Sequence, residues 1–237
     1  MQRTSFLVFV LLSISRVALA QELPEMRPAL IGKSPGAIIN RIDTKTLMAA
    51  HQQDGLIMFC AVVDKTGQVT GSATYLGTPD SKLLAQEVDR ALANGKMIPA
   101  IRNHEPVAVL FYGTVVFGIM DGKPRLRLFA NQDAEEVKKE SDFIAPQPCI
   151  GGDSKFSLHY PESSSPVPVN AVVNLQLTVD AAGNLQSAKV IGESPPLLGF
   201  GDAATDDFNS AKFIPPFRDG KAVAAETTLS IYYQPKG

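Results

Sequence analysis

The chain has no tryptophan, two cysteines and three histidines in 237 residues. His51, His104 and His159 share no metal-ligand spacing, and none stands with a cysteine in a catalytic pattern, so each reads as a surface or turn residue and no metal is expected. An excess of either charge is missing as well: 22 basic residues face 24 acidic ones, with no basic tract. That balance argues against nucleic acid and against a membrane surface as partner. No nucleophile–base pair and no phosphate-loop context is visible, Gly151-Gly152 reading as linker, so no cofactor and no enzymatic activity are expected.

Long apolar runs are scarce too. The stretch from Phe6 to Ile14, broken by Ser13, follows Arg3 and precedes Ala18-Leu19-Ala20, the order of a secretory signal. It is shorter than the about 20 residues a membrane span needs. Residues 1–20 are therefore expected to be a cleavable leader, leaving an exported chain with no stable membrane insertion. In an oxidising compartment Cys60 and Cys149 could form a disulfide that staples two parts of the chain together; two buried unpaired thiols is the alternative.

What the chain does have is a repeat. Phe59 to Phe117 maps onto Leu175 to Tyr233 with one constant offset of 116 and no gap, ten of 59 positions being identical. The matches include Val63-Asp64 and Gly67 with Val179-Asp180 and Gly183, and Lys96, Ile98, Pro99 and Arg102 with Lys212, Ile214, Pro215 and Arg218. One small unit is built twice, and function belongs to that unit.

Within each copy, Leu175, Leu177 and Val179 alternate with Asn174, Gln176 and Thr178 as a strand with one wet face does. Asp64 to Gly67 and Asp180 to Gly183 then supply a hairpin turn, Asp opening it and Gly taking the positive φ. Second strands are expected over 68–76 and 184–192. A helix follows, with Leu84, Val88 and Leu92, or Phe200, Ala204 and Phe208, recurring every four residues; Asp80-Ser81 suits its cap and Gly95 its left-handed end. The last strand runs over 107–119 or 223–233. Because the helix must cross back over the sheet, the first strand is expected between the other two. The fold class is α+β: two tandem β-β-α-β modules, each a small antiparallel sheet with one helix on one face.

The segments divide as leader 1–20, N-terminal extension 21–45, first module with an added hairpin strand 46–130, short helix and linker 131–168, and second module 169–237. Asn131 to Glu140 suits a short solvated helix, while Pro146 to Pro168, with Ser163-Ser164-Ser165, reads as a linker with little regular structure. Asp121-Gly122 suits a tight turn into a fourth strand at Arg125 to Leu128, pairing with the last strand of the first copy from beyond Pro124. Met58, Cys60 and Val62 make that copy's outer sheet face apolar, so the Cys149 segment or the second module should cover it.

Lys212-Phe213-Ile214-Pro215-Pro216-Phe217-Arg218-Asp219-Gly220-Lys221-Ala222-Val223, following Val179-Asp180-Ala181-Ala182-Gly183-Asn184, resembles the C-terminal domain of TonB-like proteins. The stretch Lys96 to Arg102 looks like a diverged copy. Ala211 and Gly95 stand where the family usually has tryptophan, and the chain shows a cleavable-looking leader in place of a membrane helix and a proline-rich spacer. The resemblance therefore implies a periplasmic binding or adaptor protein for an extended protein segment, linked to outer-membrane transport, more than an energy transducer. A protein partner such as an outer-membrane receptor is implied, or a homodimer; an envelope-assembly protein whose modules dock or dimerise is the alternative. The expected binding site is the edge strand of the second copy, Thr227, Thr228, Leu229, Ser230, Ile231 and Tyr232, which should pair through its main chain with an added strand.

Overall fold

A computed structural model describes residues 24–161 and 168–235. The expected leader at 1–20 and the Ser163-Ser164-Ser165 run lie outside the described residues. In chain order the elements are β1 (Met26–Arg27), α1 (Ile38–Arg41), α2 (Thr44–Ala49), β2 (Gly55–Val63), β3 (Val69–Gly77), α3 (Lys82–Leu92), β4 (Ala100–Arg102), β5 (Glu105–Met120), β6 (Lys123–Phe129), α4 (Ala134–Lys138) and β7 (Gln147–Ile150). They continue with β8 (Ala171–Val179), β9 (Leu185–Ser194), α5 (Phe200–Asn209), β10 (Phe213–Ile214), β11 (Phe217–Arg218), β12 (Lys221–Ala222) and β13 (Ala225–Tyr233). The architecture is α+β, mostly antiparallel sheet with few helices.

In both halves the first strand of the hairpin is central: the order is β5-β2-β3 in one and β13-β8-β9 in the other. The registers coincide under the same offset of 116. Phe59 stands opposite Gly113 and Thr74, as Leu175 stands opposite Leu229 and Val190, and both hairpins shift register at the last residue before the turn, Val63 and Val179. The turns agree in detail. Asp64 Oδ1 accepts from the amides of Thr66 and Gln68, and Asp180 Oδ1 from those of Ala182 and Asn184. Gly67 and Gly183 carry φ of +84° and +81°, and a Cβ on either would lie 2.1 or 2.2 Å from the carbonyl oxygen of Met97 or Phe213. Glycine is required there twice over, by backbone conformation and by space.

Each helix lays its apolar stripe on its hairpin. Leu84, Val88 and Leu92 are fully buried on α3, and Phe200, Ala204 and Phe208 on α5. Burying each of the larger ones contributes about 1.5–3 kcal/mol. The cap of α3 differs from expectation: Ser81 makes no side-chain cap bond, and Gln52 Oε1, arriving from before β2, accepts from the Leu84 amide instead. Asn94, with φ +61°, takes the left-handed position after the helix in place of Gly95. Gly95 is held by close approach, since a Cβ there would meet the Ala91 and Leu92 carbonyls at 3.0 Å.

Three other expectations need correction. The N-terminal extension is part of the first core, where Ala29, Ile38 and Ile42 are buried. The segment after Pro146 contains a strand: β7 pairs with β5 on one side and β10 on the other, and Gln147 and Cys149 are buried. Gln147 also bonds both backbone groups of Ala29 through its carboxamide. Local composition could not reveal this, because the prolines alternate with residues that find partners far away in sequence. The added strand β6 does pair with β5, but from Lys123 opposite Met120, with Pro124 inside the ladder opposite Ile119.

Two hydrophobic clusters result. One lies on the α3 face of the first sheet and also takes in Cys149, Ile214 and Phe217. The other holds the α5 face of the second sheet together with Leu110 and Tyr112, against which Cys60 and Val62 pack. Cys60 and Val62 on the apolar outer face of the first sheet are thus covered by the second half, while Met58 lines a cleft with Ala134 and Val137.

Candidate functional site

β13 is an outermost strand of its sheet, with β8 on its inner side. Leu229, Ile231 and Tyr233 point into the core and are almost fully buried, with Thr227 buried beside them. Thr228, Ser230 and Tyr232 take the opposite face, but Ser230 is buried too. Its burial has a specific cause. The Ser230 amide donates to Gln132 Oε1 at 3.0 Å, and the Tyr75 hydroxyl donates to the Ser230 carbonyl at 2.7 Å.

The two side chains are tied to each other as well. Gln132 Nε2 donates to the Tyr75 hydroxyl at 2.8 Å and to the Phe59 carbonyl at 3.2 Å. Gln132 and Tyr75 are nearly inaccessible, and the Tyr75 ring stacks on Tyr232 with centroids 5.0 Å apart. Burial holds the Tyr75 hydroxyl well above its ordinary titration range, so it remains a donor. The edge expected to be free from Ala225 to Tyr233 is therefore closed at Ser230 by Tyr75 of the first half and Gln132 of the segment that links the halves. By the alternation of an antiparallel ladder the amides of Thr228 and Tyr232 face the same way as that of Ser230. They form no bond outside the ladder among the described residues.

Residues Gln132 and Tyr75 had no signal of this role in the sequence. Gln132 sits in a polar run before the short helix α4, whose first turn Asp133 caps through the amides of Glu135 and Glu136. Tyr75 is an aromatic residue at a strand end, where packing is the ordinary reading. Only tertiary proximity joins them.

The structure does not bring Cys60 and Cys149 together; both are free thiols. Cys149 pairs with Val109, which pairs with Val63, and belongs to the α3-side core, while Cys60 points to the other side of the sheet. Two cysteines on opposite faces cannot be bridged without moving the backbone. Burial raises the pKa of each thiol to about 11.

His51 and His104 occupy left-handed turn positions, with φ of 56° and 63°. His159 Nδ1 lies 2.6 Å from Asp207 Oδ1 on α5, and its amide donates to the other carboxylate oxygen at 2.8 Å. That pair fastens the segment before β8 to the helix. Among the described residues no group of three or more His, Cys, Asp or Glu is placed to hold a metal ion. No described helix is long and apolar enough to cross a membrane.

The geometry is thus that of a small antiparallel sheet whose last strand lies at an edge and is closed at Ser230 by Gln132 and Tyr75. No curated protein and no solved structure matches the chain significantly. Residues 157–235, which contain β8 to β13, match the family described as Gram-negative bacterial TonB protein C-terminal.

Proposed function

We propose that this is a periplasmic TonB-like binding or adaptor protein that recognises an extended segment of another protein by main-chain pairing along β13. One observation carries the reading: the segment that matches the TonB C-terminal family ends its sheet in an outermost nine-residue strand. Unpaired backbone groups on such a strand accept a further strand, and alternate side chains set its specificity. An outer-membrane receptor with an extended segment fits that role, and the leader-like residues 1–20 fit export to the periplasm.

The first half is read as a diverged copy of the same module. The offset of 116 reproduces its register, its bulge and its Asp–Gly turn, which supports a common origin. Its own edge strand β5 is already occupied by β6 and β7, so binding falls to the second copy.

A photo-crosslinking residue at Thr228, tested in the native envelope, separates the alternatives. Adducts with a different protein are the expected result. Adducts only with a second copy of this chain would favour the dimerising reading, and no adduct from any position between 226 and 232 would defeat edge pairing.

A further inference from the structure

The two halves offer the same edge at equivalent positions and close it differently. In the first, Thr114 on β5 stands opposite Phe129 of the added strand β6. In the second, Ser230 on β13, displaced from Thr114 by the offset of 116, has the Gln132 carboxamide and the Tyr75 hydroxyl in that place. Gln132 lies only three residues past Phe129, so one stretch of chain closes both edges, first with backbone and then with a side chain.

The chemistry of the replacement matches what it replaces. An added antiparallel strand presents to each outward-facing residue one C=O acceptor and one N–H donor. Gln132 Oε1 supplies the acceptor and Tyr75 Oη the donor, and the bond from Gln132 Nε2 to Tyr75 Oη fixes the hydroxyl so that its hydrogen points at the Ser230 carbonyl. Beside this contact a polar cleft of about 390 Å³ opens between β3 and the end of β13, lined by Ser72, Ala73, Thr74, Asp89, Tyr232 and Gln234. It gives an incoming segment access to Tyr232 next to the closed peptide.

We propose that Gln132 and Tyr75 form a latch that stands in for a partner strand at Ser230, so that an extended segment engages β13 by displacing them. This rests on the edge-pairing reading above and adds its regulation. The bound and latched states exclude each other at one residue, Ser230, and partner affinity is lowered by the free energy of the two latch bonds.

The test uses the full chain and a fluorescent peptide with the sequence of residues 123–130, the segment containing the strand that the equivalent edge accepts. Gln132→Leu and Tyr75→Phe are each expected to tighten peptide binding about fivefold over the parent, the equivalent of one neutral hydrogen bond. Ser230→Pro, which removes the outward amide without touching the β8 ladder, should abolish binding in either background. Equal affinity in parent and latch variants, still abolished by Ser230→Pro, overturns the latch and leaves edge pairing standing. Binding that survives Ser230→Pro overturns both. Failure of the opened variants to bind overturns the latch, since a freed edge should take the strand. Tyr75→Phe keeps the ring on Tyr232, so it decides the question if Gln132→Leu does not fold.

Discussion

The outer faces of the two sheets differ, and that difference organises the molecule. On β2 the side chains away from α3 are Met58, Cys60 and Val62; at the positions 116 residues later β8 carries Asn174, Gln176 and Thr178. Cys60 and Val62 of the first face are covered by the second half, with Leu110 and Tyr112 of β5 buried in the second core. The polar second face stays half-buried. A few side chains on one face thus set how many layers a sheet supports: hairpins with the same register become a middle layer in one case and an outer one in the other.

The helices sharpen the contrast. At three equivalent positions, all fully buried, α3 carries Leu, Val and Leu while α5 carries Phe, Ala and Phe. The larger ends of α5 compensate a smaller middle, as close packing demands. Phe208→Ala is therefore expected to cost about 3–5 kcal/mol and Leu92→Ala about 2–5 kcal/mol, both in urea denaturation. A loss below 1 kcal/mol at either site would break the equivalence of the two cores.

The turn glycines come next. Gly67→Ala and Gly183→Ala place a Cβ at 2.1 and 2.2 Å from a carbonyl oxygen, on a left-handed backbone. Each should destabilise by roughly 2–4 kcal/mol, and by similar amounts. A marked inequality in thermal denaturation would show that the two halves do not use the turn alike.

A smaller effect belongs to the carboxylates of those turns. The Thr66 hydroxyl first, and backbone amides after it, hold the Asp64 carboxyl below its usual range; the Asn184 amide leads the same effect on Asp180. Protonation in the folded state gives up these bonds. The stability they contribute is thus complete above the ordinary carboxylate range of about pH 4 and is lost as pH falls through the depressed values. Asp64→Asn and Asp180→Asn should each flatten the acid side of the stability profile, and unchanged profiles would remove the turns from it.

The smallest effect concerns Cys60, whose counterpart is Gln176. With both thiols raised to about 11 by burial, alkylation of native protein at pH 8 should run on the order of a hundredfold slower than that of an open thiol. Non-reducing mass spectrometry should find no bridge. Rapid modification of Cys60 alone would show that the cover over the first sheet opens.

Much of each half was legible in the residues. Alternation along 175–179, the Asp and Gly of the turns and the four-residue stripe of the helices each follow from local geometry, and the constant offset related the two halves. The fourth strand was legible as well, through Asp121-Gly122 and the alternation of Arg125 to Leu128, and it is the strand that pairs with β5. The strand Gln147–Ile150 was not, because a proline-rich composition carries no sign of the distant edges that β7 joins. The disulfide failed for a related reason: sequence separation says nothing about which face of a sheet a cysteine occupies.

By itself, then, the sequence determined the periodic elements, their turns and the family resemblance of residues 157–235, since these depend on residues within a few positions of one another. Tertiary structure alone decided how the halves interlock, where Cys60 and Cys149 point and what stands at the edge of β13. Ser230 meets Gln132 and Tyr75 across 98 and 155 residues. The reason is that a backbone peptide buried at a sheet edge must find a donor and an acceptor, and it takes them from whatever the packing brings near.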